Sequence, residues 1–247
     1  MIRRTWLQMG MPITVCLQDA WADEGDVAAV ASWLETVDRR FSPYRDTSEV
    51  SRLNSGELGL DAISDDFAWV LETCEQTRVE TDGYFNAMRD GRLDPSGLVK
   101  GWAVERCGTL LGERGLTNYF VDAGGDVQAI GQNSHGQPWR VGIRNPFQRD
   151  ELVKVLAISG RGVATSGTAV RGQHIYNPRQ AGSLASDVVS LTVIGPSIFD
   201  ADRFATAAFA MGREGLSFIA ARPGFEGYAI TADGLAHFTE GFRDDAG

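Results

Sequence analysis

The chain has 247 residues, 43% of them hydrophobic and 23% charged, with a net charge of −10. That length buries a sizeable core, as one large domain or two small ones, and the acidic balance argues against a nucleic-acid-binding surface, which is normally basic. No apolar run approaches the ~18 residues of a membrane span. The opening MIRRTWLQMGMPITV lacks the apolar core and small-residue cleavage site of a secretory signal, so the expected location is cytoplasmic, with a trimmed exported form left open. Cys16, Cys74 and Cys107 are widely spaced in apolar surroundings and read as buried free thiols.

Met11 to Leu17 alternates as a strand. Glu24 to Arg40 is an amphipathic helix with Val27, Val30, Leu34 and Val37 on one face, and Pro43 marks where it has stopped. Ser48 to Asn54 reads as a short helical turn. Ser64 is the expected N-cap of a second long helix running through Phe67, Leu71 and Cys74 to about Glu80. Thr81 to Asn86 is a turn that leaves Tyr84 and Phe85 on a loop.

The turn Asp94-Pro95-Ser96-Gly97 opens a helix with Val99, Ala103, Cys107 and Leu110 at three- and four-residue spacing, ending near Gly112 and Gly115. A buried strand, Tyr119 to Val121, leads into Gly124-Gly125-Asp126. Val127 to Ile130 and Trp139 to Ile143, separated by Gly131, Asn133 and Gly136, are expected to form a hairpin. Leu152 to Ile158 is a strand; Gly162 to Gly167 is a short strand ending in a small-residue turn. After the β-branched strand Val188 to Ile194, a helix passes through Phe204, Ala208 and Met211 to Gly212, and two last strands flank the hairpin turn Asp233-Gly234. The fold class expected is α+β, a single compact two-lobed domain over residues 1–247.

Several residue groups have chemistry beyond folding. Backbone donors at the start of the Gly97 helix, Lys100 one turn in and the Gly124–Gly125 pair suit an anionic ligand, although Asp94 and Lys100 also read as a cap and a solvated side chain. Thr165-Ser166-Gly167 reads as a hydroxyl-rich turn, with a self-satisfied turn as the plainer reading. His174 precedes a proline-terminated turn and is a candidate general base or a structural histidine. Asp202 and Thr206 share a helix face, an oxygen pair that suits Mg²⁺, while an acid in a helix's first turn is accounted for by the dipole.

Read in order, the segments RFSPYRDTSEVSRLN (40–54), TDGYFNA (81–87), DPSGLVKGWAVE (94–105), VDAGGDVQAIG (121–131), ATSGTAVR (164–171), HIYNP (174–178) and ADRFATAAFAMG (201–212), with Gln8-Met9-Gly10 ahead of them, resemble the ApbE-like FAD:protein FMN transferase family. The resemblance covers nearly the whole chain. It implies Mg²⁺-dependent cleavage of FAD, with FMN attached through a phosphoester to a threonine or serine hydroxyl of a partner protein, a redox protein being one candidate, and AMP released. It also implies Asp202, Thr206 and the Gly97 carbonyl as metal ligands and His174 as the catalytic proton acceptor. Met9, Tyr44, Tyr84, Phe85, Asn86, Asp94, Lys100 and Tyr176 fall where the family contacts FAD. Gly124, Gly125, Asp126, Thr165, Ser166 and Gly167 match turns around the nucleotide. Two departures stand out: Asn177 replaces the family's aspartate beside the histidine, and Asp122 replaces its asparagine before the glycine pair. Two rival functions stay open, an FAD pyrophosphatase yielding FMN and AMP, and a non-catalytic FAD-binding protein.

Overall fold

The computed structural model describes residues 1–148, 150–168, 178–179 and 187–242. Strands β1 (Ile2–Gln8) and β2 (Met11–Leu17) come first, followed by helices α1 (Glu24–Phe41), α2 (Glu49–Ser55) and α3 (Asp65–Glu80). The short strands β3 (Met88–Arg89) and β4 (Arg92–Leu93) precede helix α4 (Ser96–Glu113). Then come β5 (Tyr119–Ala123), β6 (Asp126–Ile130), β7 (Trp139–Arg144), β8 (Leu152–Ile158), β9 (Arg161–Gly167) and β10 (Val188–Gly195). Helices α5 (Ile198–Met211) and α6 (Glu214–Ala220) lead to β11 (Glu226–Thr231) and β12 (Ala236–Phe238).

Eight of these strands form one sheet in the order β1-β2-β5-β6-β9-β10-β11-β12, and every neighbouring pair is antiparallel. The period-two alternation of a strand sends successive side chains to opposite faces. Val15, Ala164, Val193 and Ala229 pack under the helices, whereas Cys16, Val163, Ile194 and Ile230 pack on the opposite side. There the β7–β8 ribbon supplies Trp139, Val141, Ile143, Leu156 and Ile158. Burial on both faces explains why the central strands read as nearly continuous apolar runs. The three cysteines are buried and free, as their spacing predicts.

The expected hairpin between β6 and β7 does not form. The open edge of β6 is taken by β9, with Val127 opposite Val163 and Ala129 opposite Arg161. The intervening loop is closed by Asn133, which accepts from His135 N–H at 2.8 Å and donates to the Pro138 carbonyl at 2.9 Å. It lifts the chain off the sheet, and Trp139 fastens the ribbon by donating to the Ile130 carbonyl at 2.8 Å. Strand β1 has no counterpart in the sequence reading because it is an edge strand with Arg3, Arg4, Thr5 and Leu7 exposed, which breaks the apolar alternation. It joins β2 through Met9-Gly10, both with positive φ (53° and 71°), as a two-residue hairpin requires.

The link from β2 to β5 rests on Asp19, which is 6% exposed. Its carboxylate accepts from the Thr117 and Asn118 amides at 2.8 and 2.9 Å and from their side chains at 3.0 and 2.8 Å. Burial alone would raise its pKa, but these four donors together hold it below the ordinary aspartate value. A carboxyl whose folded pKa is depressed contributes stability above its unfolded pKa of ~3.9 and loses it as pH falls through the folded value. Asp19→Ala is therefore expected to cost about 1–3 kcal/mol at pH 7. Urea midpoints of variant and wild type should converge as the pH falls below 4, and a gap of constant size would contradict the assignment.

Candidate active site

Helix α5 carries two of the expected site residues. Ser197 caps it by accepting from the Asp200 amide at 3.1 Å, and the buried Gln128 side chain accepts from the Ile198 amide at 2.9 Å, which seats the helix start on β6. One turn in, Asp202 is 2% exposed and faces α4.

The two helices meet so closely that α4 needs glycine at position 101. A Cβ there would lie 2.8 Å from Asp202 Cβ and 3.0 Å from the Ile198 carbonyl oxygen. The Gly101 amide donates to Asp202 Oδ2 at 2.8 Å. In a regular helix that amide serves the carbonyl of Gly97, so Asp202 competes with Gly97 for it. Gly97 itself lies between two side chains: a Cβ would sit 3.3 Å from Phe85 Cε2, 3.3 Å from Thr206 Cγ2 and 3.8 Å from Thr206 Oγ1. Thr206, one turn beyond Asp202 on α5, is thus brought beside Gly97 of α4, about a hundred residues earlier in the chain.

Lys100 ties the centre together. Its ammonium lies 3.1 Å from Asp202 Oδ1 and pairs with the Asp126 carboxylate, whose residue is 3% exposed. The other Asp126 oxygen accepts from the Thr165 amide at 2.9 Å. Burial pushes the Asp202 pKa up; Lys100 opposes that rise and Asp126 adds to it. The pairing of Lys100 with Asp126 escapes the sequence reading, which places Asp126 in a nucleotide turn. The signal for it would be a buried acid beginning a central strand, and nothing local marks the partner.

Several expected roles change. The Gly124 and Gly125 amides are not idle anion donors: Gly124 N–H donates to the Pro12 carbonyl at 2.9 Å and Gly125 N–H to Asp122 Oδ1 at 2.7 Å. What the pair supplies is backbone shape, with φ of +65° and +107° and open space beside Gly125. At the start of α4, Asp94 Oδ1 accepts from the Ser96 amide at 3.1 Å and its hydroxyl at 2.5 Å, a local turn ahead of the helix, whose N-cap is Pro95 and which has no side-chain cap bond. Thr165, Ser166 and Gly167 are strand residues of β9, not a turn, and Thr165 Oγ1 lies 2.8 Å from Thr192 Oγ1. Phe85 is 3% exposed, so its ring is a wall beside Gly97 and offers no open face for stacking.

Tyr44 is 94% exposed and Tyr84 half-buried. The Arg179 guanidinium stands 5.1 Å from the Tyr84 ring centre and pairs with Asp82 at 2.5 Å. Asn86 accepts from the Met88 amide at 2.8 Å, and Met9 sits half-buried in the β1–β2 turn. An open cleft of about 210 Å³, lined by Pro43, Asn54, Arg89, Arg92, Leu93 and Asp94, adjoins the start of α4. Pockets for drug-sized ligands run to ~300–1,000 Å³, so this cleft accommodates only part of a dinucleotide. His174, Tyr176 and Asn177 lie outside the described residues.

Among the described residues no group of three His, Cys, Asp or Glu is placed to hold a metal. The donors at hand are a buried carboxylate, a hydroxyl and a helix-start carbonyl, all hard oxygens that suit Mg²⁺, which keeps several water or substrate ligands.

The sequence model of the ApbE family matches residues 9–91 and 87–229. The chain belongs to the ApbE family. A FAD:protein FMN transferase of Salmonella typhimurium is 30% identical over 160 residues, 61% of this chain and 44% of that protein. The one from Escherichia coli strain K12 is 31% identical over 151 residues, 58% of this chain and 43% of that protein. The chain thus spans under half the length of these curated relatives. Among solved structures, the flavin transferase ApbE from Vibrio cholerae superposes with a TM-score of 0.85 at 23% identity, covering 99% of this chain and 98% of that one. That likeness is one of fold.

Proposed function

We propose that this chain is a Mg²⁺-dependent FAD:protein FMN transferase, joining FMN through a phosphoester to a threonine or serine hydroxyl of a partner protein and releasing AMP. The observation that carries the reading is the meeting of Asp202 and Thr206 on α5 with Gly97 and Lys100 on α4, in a chain of the ApbE family. Asp202, Thr206 and the Gly97 carbonyl would hold the metal. When bound, Mg²⁺ offsets the two negative charges of the pyrophosphate and stabilises the departing phosphate.

The protein's own groups do the rest by position and charge. In a chain of net charge −10, Lys100 is a cation at the centre of the site, held there by two carboxylates. Tyr44 and Tyr84 offer aromatic faces for flavin or adenine, and the open space at Gly125 admits close approach of a ligand. In the transfer, the acceptor oxygen bonds to the FMN phosphorus and the bond from that phosphorus to the bridging oxygen breaks. AMP leaves with the electron pair, and the acceptor's proton passes to His174.

Incubation with FAD, Mg²⁺ and a target domain carrying an acceptor threonine tests this. AMP together with a covalent flavin mass on the target supports transfer. AMP with free FMN would identify a pyrophosphatase instead, and neither product, with FAD still bound, a binding protein.

A further inference from the structure

Arg203 directly follows Asp202 but serves a different flank of α5. Its guanidinium donates to Asp200 Oδ1 at 2.8 Å and to Thr77 Oγ1 at 3.2 Å, and it pairs with the Glu80 carboxylate. It lies 4.1 Å from the Phe204 ring centre and 5.3 Å from that of Phe199, and its side chain is 13% exposed. Arg222 adds a second tie by donating to the Glu80 carbonyl at 3.1 Å. Both arginines therefore grip the last turn of α3.

That turn leads straight into the loop beside the candidate metal site. The Thr77 carbonyl accepts from the Thr81 amide at 3.0 Å and the Thr81 hydroxyl at 2.7 Å. The Thr81 hydroxyl oxygen in turn accepts from the Phe85 amide at 3.0 Å. The Phe85 ring then abuts Gly97, which Thr206 also approaches. The contacts close a ring: Arg203, Thr77, Thr81, Phe85, Gly97, Thr206, and back along one turn of α5 to Arg203. Thr81 and Thr77 are fully buried, so no water replaces these bonds cheaply.

We propose that Arg203, anchored by Glu80 and Thr77, is a positioning residue that sets the spacing of Thr206 and Gly97 and thereby the affinity of the site for its divalent cation. This rests on the metal reading of that site. Arg203's bonds run to Asp200, Thr77 and Glu80, so it acts through the α3 turn and the Phe85 wall. Groups that orient metal ligands from behind typically change metal affinity about 10–100-fold when lost.

The test uses Mn²⁺ as a spectroscopic probe, with FAD present, in wild type, Arg203→Met, Arg203→Lys and Glu80→Gln. Arg203→Met is expected to weaken Mn²⁺ binding about tenfold, and turnover at saturating Mg²⁺ to stay within a few-fold of wild type. Arg203→Lys, which keeps the charge but not the fork, should recover part of the loss. Glu80, with its side chain 46% exposed, can lose its charge without disturbing the core, so Glu80→Gln keeps the test open if Arg203→Met fails to fold. Its Mn²⁺ binding should weaken in the same direction. Unchanged Mn²⁺ affinity in both folded variants, against a wild type that binds, would overturn the positioning role alone. A wild type that binds no Mn²⁺ would overturn the metal reading and this role with it.

Discussion

Replacing Asp202 by asparagine is expected to lower FAD turnover about 10²–10³-fold, the range seen when one electrostatic group is removed from a transition state. The asparagine oxygen can still accept from Gly101 N–H, so the α4–α5 contact survives, while the charge that a divalent cation requires is gone. Asp202→Ala should be equally inactive and less stable, because it also strands a buried amide at a cost of about 1–3 kcal/mol. Turnover measured against Mg²⁺ concentration, beside a thermal midpoint for each variant, separates the two effects. Asp202→Asn with activity within twofold of wild type would remove the carboxylate from the site.

Lys100→Met is expected to have the largest effect on stability, about 3–5 kcal/mol, the range found when one partner of a buried ion pair is removed. The lysine is a single cation shared by two carboxylates, Asp126 at 3% and Asp202 at 2% exposure. Without it the pair loses the cation that opposes its protonation, a carboxyl must take up a proton, and the methionine fills the space but satisfies neither. Chemical denaturation at pH 7 measures the loss. Adding Asp126→Asn to the variant should recover part of it by removing one of the two like charges. Mg²⁺ should raise the midpoint of Lys100→Met, since a ligand that binds only the folded state stabilises it. A variant as stable as wild type would mean that the carboxylates find other donors and that Lys100 is not the keystone of the site.

Much of the architecture is legible in local pattern. Ser64 caps α3 by accepting from the Phe67 amide at 3.3 Å, and α4 begins at Ser96, two residues beyond Asp94. The first follows from side-chain capping and the second from the Asp94-Pro95 turn, and both act within one turn. The terminal hairpin also forms about Asp233-Gly234, with φ of +84° at the glycine. Other features escape, the short β3–β4 ribbon among them. Edge strand β1 is half polar, α6 is a single short helix without a side-chain cap, and β7 pairs with β8 because another strand already occupies the β6 edge. Competition for a sheet edge is settled between distant segments, and no local pattern records it.

The site divides along the same line. Sequence by itself determined the helices, their caps, the apolar faces that pack them on one side of the sheet, and the placing of Asp202 and Thr206 on one face of α5, because 3.6 residues per turn is a property of neighbours. Only the tertiary structure decided that Lys100 is held between Asp126 and Asp202, that the glycine-pair amides are already engaged, and that Arg203 reaches back to Glu80. Burial and pairing of charge depend on which surfaces exclude water together, and those surfaces exist only once the helices have closed on the sheet.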